Sequence, residues 1–285
     1  MNTALSRVLL LANQTAGVST AQRLKHFGPI RRWREQRHLK HFFSENAYAS
    51  SYGVFDNFEE ARRWLPPSRE FDEPALQTEY ERVRMHRLYS YDYPVLFWLA
   101  DAFSQGAHSV YDLGGSVGVH FHAYRKVLRY PEPLRWQVCE VPAVCSIGRE
   151  IARREETPAL QFTEALDPAR TDSDIWLSCG ALQYIEGGRP AQLLAKAAKL
   201  PAHIVLNKMP LYRGSDFVTA QNLGAGSFAP FYVYNDADLI DEIEQAGYRL
   251  VDRWDVPERQ LYVPDHPERS IRKFSGLYFQ QRADA

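Results

Sequence analysis

The chain has 285 residues, 45% of them apolar and 24% charged, enough for a sizeable packed core under a charged surface. A net charge of −1 gives no global electrostatic reason to expect nucleic acid as a partner. Three cysteines (Cys139, Cys145, Cys179) without a CxxC pair argue for a reduced, cytoplasmic chain and against structural zinc. The apolar run after Arg7 is too short for a signal peptide, and no stretch is long enough to span a bilayer.

Residues 1 to 45 stand apart. Arg7, Arg23, Lys25, Arg31, Arg32, Arg34, Arg37 and Lys40 face only Glu35 and Glu45, with Phe27, Trp33, Leu39, Phe42 and Phe43 interleaved. The plain reading is an amphipathic helix packed on the main domain; the sharper one is a docking surface for an acidic protein partner, or a mobile lid. Residues 56–106 read as helices. Asn57 opens the first and Pro66-Pro67 ends it; a second holds Tyr80, Val83, Met85 and Leu88; a third begins near Asp92, with Pro94 in its first turn, and stops at Gly106. Tyr89, Tyr91 and Tyr93 cluster just before this third helix. The expected division is a helical N-terminal extension or lid over 1–106 and a ligand-binding domain over 107–285.

The most informative stretch follows. Val110-Tyr-Asp-Leu113 is a short strand, Gly114, Gly115 and Gly118 form a turn, and Val117, Phe121, Tyr124 and Leu128 mark a helix. Strand, glycine turn and helix in that order cradle a ligand, because glycines let backbone N–H groups approach where a Cβ would intrude. Strand and helix then alternate: Trp136–Val141, a helix begun by Pro142, Leu160–Thr163, Ile175–Cys179, a helix through Leu193, and His203–Asn207. Asn235 caps a helix that Gly247 closes, and Tyr248–Val256 and Phe274–Gln280 supply a terminal strand pair. The pattern is an α/β sheet with a helical cap.

In such a sheet the end of the second strand presents an acid to a ribose. Glu140 lies 22 residues beyond Gly118, near the spacing of about 20 expected for that role. The glycines do not fall at the dinucleotide positions, since Ser116 and Val119 occupy two of them, and no Gly-Lys-Ser/Thr follows. S-adenosylmethionine (SAM), which has no pyrophosphate, suits the turn better than NAD, FAD, ATP or GTP.

Asp112-Leu-Gly-Gly-Ser-Val-Gly118 is similar to the first motif of class I SAM-dependent methyltransferases, and Glu140-Val-Pro-Ala-Val resembles the second-strand motif of small-molecule O-methyltransferases. From Tyr52 to Phe279 the chain resembles a narrower bacterial family of SAM-dependent methyltransferases from surface-polysaccharide and natural-product gene clusters, whose relatives include azetidine-2-carboxylate synthases. Tyr91-Asp-Tyr-Pro-Val-Leu-Phe-Trp, Gly180-Ala-Leu-Gln-Tyr-Ile-Glu, Phe217-Val-Thr-Ala-Gln-Asn and Ser275-Gly-Leu-Tyr-Phe carry that likeness; the first 51 residues fall outside it. The resemblance implies a Rossmann-like seven-stranded sheet of order 3-2-1-4-5-7-6 with an antiparallel last strand. It implies that Asp112, Gly114, Gly115, Ser116 and Gly118 hold the methionine part of SAM and that Glu140, with Val141, holds the ribose. Glu164 and Ala165 would border the adenine, and Ser178, Cys179 and Gly180 the sulfonium. One departure stands out: the catalytic histidine of plant-type O-methyltransferases has no counterpart in Gly226-Ser-Phe-Ala-Pro-Phe-Tyr-Val-Tyr.

Four functions follow. Methyl transfer to a small acceptor mostly needs nucleophile, carbon and sulfur in line, with Gln183, Tyr184, Asn207 and Asn222 near strand ends to orient the acceptor. Cyclisation of SAM to azetidine-2-carboxylate, releasing 5′-methylthioadenosine, needs no second substrate, and tyrosines such as Tyr91, Tyr93, Tyr184 and Tyr232 would hold the sulfonium. A serine hydrolase with Ser116, Asp252 and His266 is the remote alternative, because Gly114-Gly-Ser-Val-Gly118 also matches Gly-x-Ser-x-Gly. A non-catalytic SAM binder is the fourth. His120 and His122 diverge on a helix, so no shared metal is expected.

Overall fold

The structure, a computed structural model, describes residues 28–283 apart from 74–75, 77–79 and 168–171. Arg7, Arg23, Lys25 and Phe27 of the basic leader therefore lie outside the described residues. In chain order the elements are α1 (Gly28–Phe42), β1 (Ser51–Phe55), α2 (Phe58–Trp64), α3 (Tyr93–Ser104), β2 (Ser109–Leu113), α4 (Val119–Tyr124), β3 (Arg135–Cys139), α5 (Pro142–Arg154) and β4 (Leu160–Thr163). There follow β5 (Ile175–Cys179), α6 (Pro190–Leu194), β6 (His203–Met209), β7 (Leu211–Tyr212), β8 (Phe217–Gly224), β9 (Ser227–Asn235), α7 (Asp236–Gln245), β10 (Tyr248–Val256) and β11 (Phe274–Gln281).

Seven strands make the main sheet in the order β10-β11-β6-β5-β2-β3-β4. The pairs β6–β5, β5–β2, β2–β3 and β3–β4 are parallel, while β11 runs antiparallel to both β6 and β10. Read from the other edge this is the expected 3-2-1-4-5-7-6 arrangement, a Rossmann-like sheet of the class I methyltransferase type. Its middle strands β2 and β5 are buried at every position, as strands covered on both faces must be. Along β2, Val110 packs with Val95, Leu99, Phe121 and Trp136 on one face, and Tyr111 and Leu113 with Leu182, Leu193 and Leu239 on the other. At the start of α7 the Asn235 side chain accepts from the Asp238 N–H at 2.9 Å, as its sequence position predicts.

A second sheet of four strands, β1-β8-β9-β7, has no counterpart in the sequence reading. The hairpin β8–β9 is almost wholly buried on both faces, so no polar–apolar alternation marks it. Phe42, Leu65, Ala220 and Phe228 pack α1 and α2 onto it. The second expected helix is also corrected: residues 80–82 are helical, but only a single 3-10 turn follows, Arg84–His86, and Leu88 lies beyond it. Met85, within that turn, is buried and packs with Val117, Val144 and Ile151. Part of the basic charge on α1 is used internally, since Arg34 bonds Asp265 at 2.6 Å. Among the described residues no helix is long and apolar enough to cross a membrane.

His122 on α4 is buried with neither ring nitrogen partnered among the described residues, and burial, aided by Arg125, pushes its pKa down to about 4. The unfolded imidazole takes a proton near 6.5 and the native one resists until about 4. Stability is therefore expected to fall by up to about 3 kcal/mol as pH drops through that window. Melting temperatures between pH 7 and 4 should decline less for His122→Leu than for wild type; parallel curves would contradict this.

Candidate active site

β2 delivers Asp112 and then the glycine turn to the carboxyl edge of the sheet. The turn needs left-handed backbone at Gly114 (φ +74°), Ser116 (φ +53°) and Gly118 (φ +90°). Close approach adds to this. A Cβ on Gly114 would stand 2.0 Å from the Ala181 Cβ, and one on Gly115 would stand 2.4 Å from the Asp112 carboxylate. The Gly114 N–H donates to the Cys139 carbonyl at 2.9 Å, which ties the turn to the end of β3.

Asp112 itself is fully buried beneath the turn. Its Oδ2 accepts from Trp136 Nε1 at 3.1 Å and meets His120 Nδ1 at 3.0 Å. Burial alone would lower the His120 pKa, but the facing Asp112 carboxylate, with Cys179 beside it, overrides burial and raises it well above the usual imidazole value. Glu140, one residue past β3, accepts the Ser116 N–H at 3.0 Å on Oε1 and the Val141 N–H at 3.1 Å on Oε2. Burial lifts its pKa to about 7 against the pull of those two amides.

These groups border a cavity of about 640 Å³, within the range usual for small-ligand sites. Gly114, Gly115, Ser116, Glu140, Val141 and Glu164 line one half. Cys179 and Gly180, at the end of β5, lie between this half and a second one, where Tyr91 and Tyr184 stand with Lys208, Gln221 and Arg259. Two buried polar atoms on the wall, Ser116 Oγ and Gln183 Oε1, have no hydrogen-bond partner among the described residues.

Several expected site residues play other parts. Asp112, Gly118, Ala165 and Ser178 support the wall without lining it; Ser178 Oγ donates to the Leu113 carbonyl at 3.0 Å, and the Ala165 carbonyl accepts from Cys139 Sγ. Asn207 is corrected to a structural role, since it is fully buried, donates to the Tyr91 carbonyl at 2.9 Å and accepts from Trp254 Nε1 at 3.2 Å. Asn222 borders the cavity, but its amide is committed to the Phe42 and Ser44 carbonyls and the Gly224 N–H. Tyr93, the first residue of α3, is 60% exposed and lies outside the cavity, which corrects its expected role. Tyr232 likewise bonds Asp216 at 2.8 Å rather than the cavity. Glu164 lines the wall and pairs with Arg149 at 2.9 Å.

The hydrolase triad is not assembled. Ser116 Oγ is unpartnered, Asp252 accepts from Trp98 Nε1 and His266 faces Glu268. Among the described residues no cluster of three His, Cys, Asp or Glu could hold a metal ion.

Lys208 and Arg259 escaped the sequence reading. Lys208 follows Asn207 near the end of β6, in left-handed conformation (φ +58°), and a Cβ on Gly180 would touch its side chain at 3.1 Å. A lone charge inside the apolar run His203–Met209, near the carboxyl end of a parallel strand, was the available signal.

No protein-family model matches the chain, and no curated protein matches it by sequence. Solved structures similar to it include methyltransferases. An O-methyltransferase family protein from Burkholderia thailandensis is 13% identical, with 90% of this chain and 71% of that one covered and a TM-score of 0.49. The mitomycin 7-O-methyltransferase is 16% identical (98% and 76% covered, TM-score 0.44). Magnesium protoporphyrin IX methyltransferase from Synechocystis, solved with bound S-adenosylhomocysteine, is 12% identical (78% and 91% covered, TM-score 0.44). The fold rests on the strand order. These distant likenesses lend it nothing further, and the site is read from its own residues.

Proposed function

We propose that the cavity binds SAM and that the protein transfers the SAM methyl group to a small molecule, in bacterial secondary-metabolite or surface-glycan biosynthesis. The supporting observation is Glu140. It is a cavity-facing carboxylate held by two backbone amides beside the glycine turn, with lone pairs left for the two ribose hydroxyls. The turn's backbone would take the methionine end, Glu164 would border the adenine with Ala165 behind it, and Cys179 and Gly180 would flank the sulfonium. Ser116 Oγ and Gln183 Oε1 are unpartnered atoms that such a ligand would satisfy.

Bound SAM supplies an electrophilic methyl carbon, so the chain's task is alignment and exclusion of water. Tyr184 is a positioning candidate. Its hydroxyl donates to Gln221 Oε1, and burial keeps it protonated. Tyr91, also on the wall, is held by its own neighbours.

SAM cyclisation is the second reading, because the cavity offers no histidine base among the described residues: His120 lines it but is engaged by Asp112. In that reaction the α-amine attacks the γ-carbon, the C–S bond breaks, 5′-methylthioadenosine leaves and the ammonium proton passes to water. Incubation with SAM alone distinguishes the two by mass spectrometry. S-adenosylhomocysteine formed only once an acceptor is added is expected; 5′-methylthioadenosine and azetidine-2-carboxylate from SAM alone would replace transfer by cyclisation. No binding of SAM would overturn both.

A further inference from the structure

The half of the cavity beyond Gly180 is both aromatic and cationic. In contact order, Arg87 lies 5.0 Å over the Tyr89 ring, Tyr89 stacks on Tyr91 at 5.3 Å, and Lys208 Nζ lies 5.2 Å over Tyr91. The Arg259 guanidinium reaches the Tyr91 hydroxyl. Arg84 lies 4.9 Å over Tyr80 and donates to the Tyr48 hydroxyl at 3.3 Å. Arg84 and Arg259 both act electrostatically on Lys208, Tyr91 and Tyr184, which places them around one space.

The acids of this half are already engaged. Asp92 accepts from the Tyr89 N–H at 2.8 Å and the Tyr124 hydroxyl at 3.0 Å. Glu70 accepts from Arg62 at 2.9 Å, and Asp72, the exception, is exposed to solvent. Lys208 makes no ion pair among the described residues. Asp92 attracts it without forming an ion pair, while Arg259 and Arg84 repel it more weakly. A half-buried ammonium without an ion-pair partner, facing a cavity, has room for an anionic group.

We infer that the acceptor is a small anion whose carboxylate or phosphate group lies between Lys208 and Arg259, with its body against Tyr91, Tyr184 and Phe231. The inference rests on the proposed function in assigning this half to the acceptor. The anionic group gives Lys208 the ion pair it lacks, Arg259 adds a planar donor fork, and the rings take a flat or apolar body. A neutral analogue forms no ion pair with the ammonium, so selectivity comes from the chain's own electrostatics.

The test is calorimetry on the full chain saturated with S-adenosylhomocysteine, titrated with 4-hydroxybenzoate, phenyl phosphate or the neutral 4-hydroxybenzamide. At least one anion is expected to bind about tenfold or more tighter than the amide, and which of the two does so names the anionic group. Lys208→Met and Arg259→Leu should each abolish that preference, and Lys208→Arg should retain much of it. All three should keep wild-type melting temperatures and an S-adenosylhomocysteine affinity unchanged within about twofold. Equal binding of anion and amide, or no anion binding at millimolar concentration, would overturn the inference. So would variants of normal stability that lose S-adenosylhomocysteine instead, because the cations would then serve the cofactor's own carboxylate. If wild type fails to bind S-adenosylhomocysteine, the proposed function falls, while the same titrations on the free protein still read the anion preference.

Discussion

Glu140→Ala is expected to weaken S-adenosylhomocysteine binding about a hundredfold or more, because two charge-assisted hydrogen bonds to ribose hydroxyls vanish together. The same change strips the Ser116 and Val141 N–H groups of their acceptor and loosens the turn that faces the methionine end. A pH signature separates this from general damage. Burial sets the free Glu140 near 7, and ribose hydroxyls donate best to its ionised form. Affinity is therefore flat above about pH 7.5 and falls below 7, by as much as about tenfold per unit, as binding has to expel a proton. Glu140→Gln should bind weakly and without that pH dependence. Calorimetry from pH 5.5 to 8.5 reads both effects, and a flat wild-type profile would refute the assignment.

The second large effect is on stability. Asp112→Ala removes the acceptor of Trp136 Nε1 and the partner of His120 in one step, both at buried positions. Breaking a buried pair by deleting one partner costs about 3–5 kcal/mol, since the other group is left desolvated and uncompensated. Urea denaturation should show that loss for Asp112→Ala, and the double variant Asp112→Ala/His120→Ala should lose less than the sum of the single changes. Strict additivity, or a loss under about 1 kcal/mol, would show that the pair does not hold the floor of the turn.

The parts of the fold legible in the sequence were those with a local signature. The buried runs of β2 and β5, the Asn235 cap and the glycine turn each have a physical cause confined to a few neighbouring residues. Strand order followed from a resemblance and agrees with the pairing. The second sheet was not legible, because residues 217–235 are covered on both faces and lose the alternation that reveals a half-buried strand.

The site divides in the same way. Glu140 could be placed by counting from the turn, since strand and helix lengths constrain that distance. Tyr91 and Tyr93 are two residues apart, yet the first is buried on the cavity wall and the second is 60% exposed on α3. Nothing in their identity separates them. Asn207 and Asn222 look like polar groups waiting for a ligand until α1, β10 and the Tyr91 backbone come to occupy them. Lys208 and Arg259 gain their meaning only from each other, across 51 residues of chain.

All of these expectations depend on what occupies the cavity at the carboxyl edge. The most direct measurement is calorimetric titration of the purified full chain with SAM, followed by competition. The account predicts saturable binding of a single molecule per chain, displaced by S-adenosylhomocysteine and unaffected by ATP or NAD. Absence of saturable binding, or displacement by NAD, would contradict it.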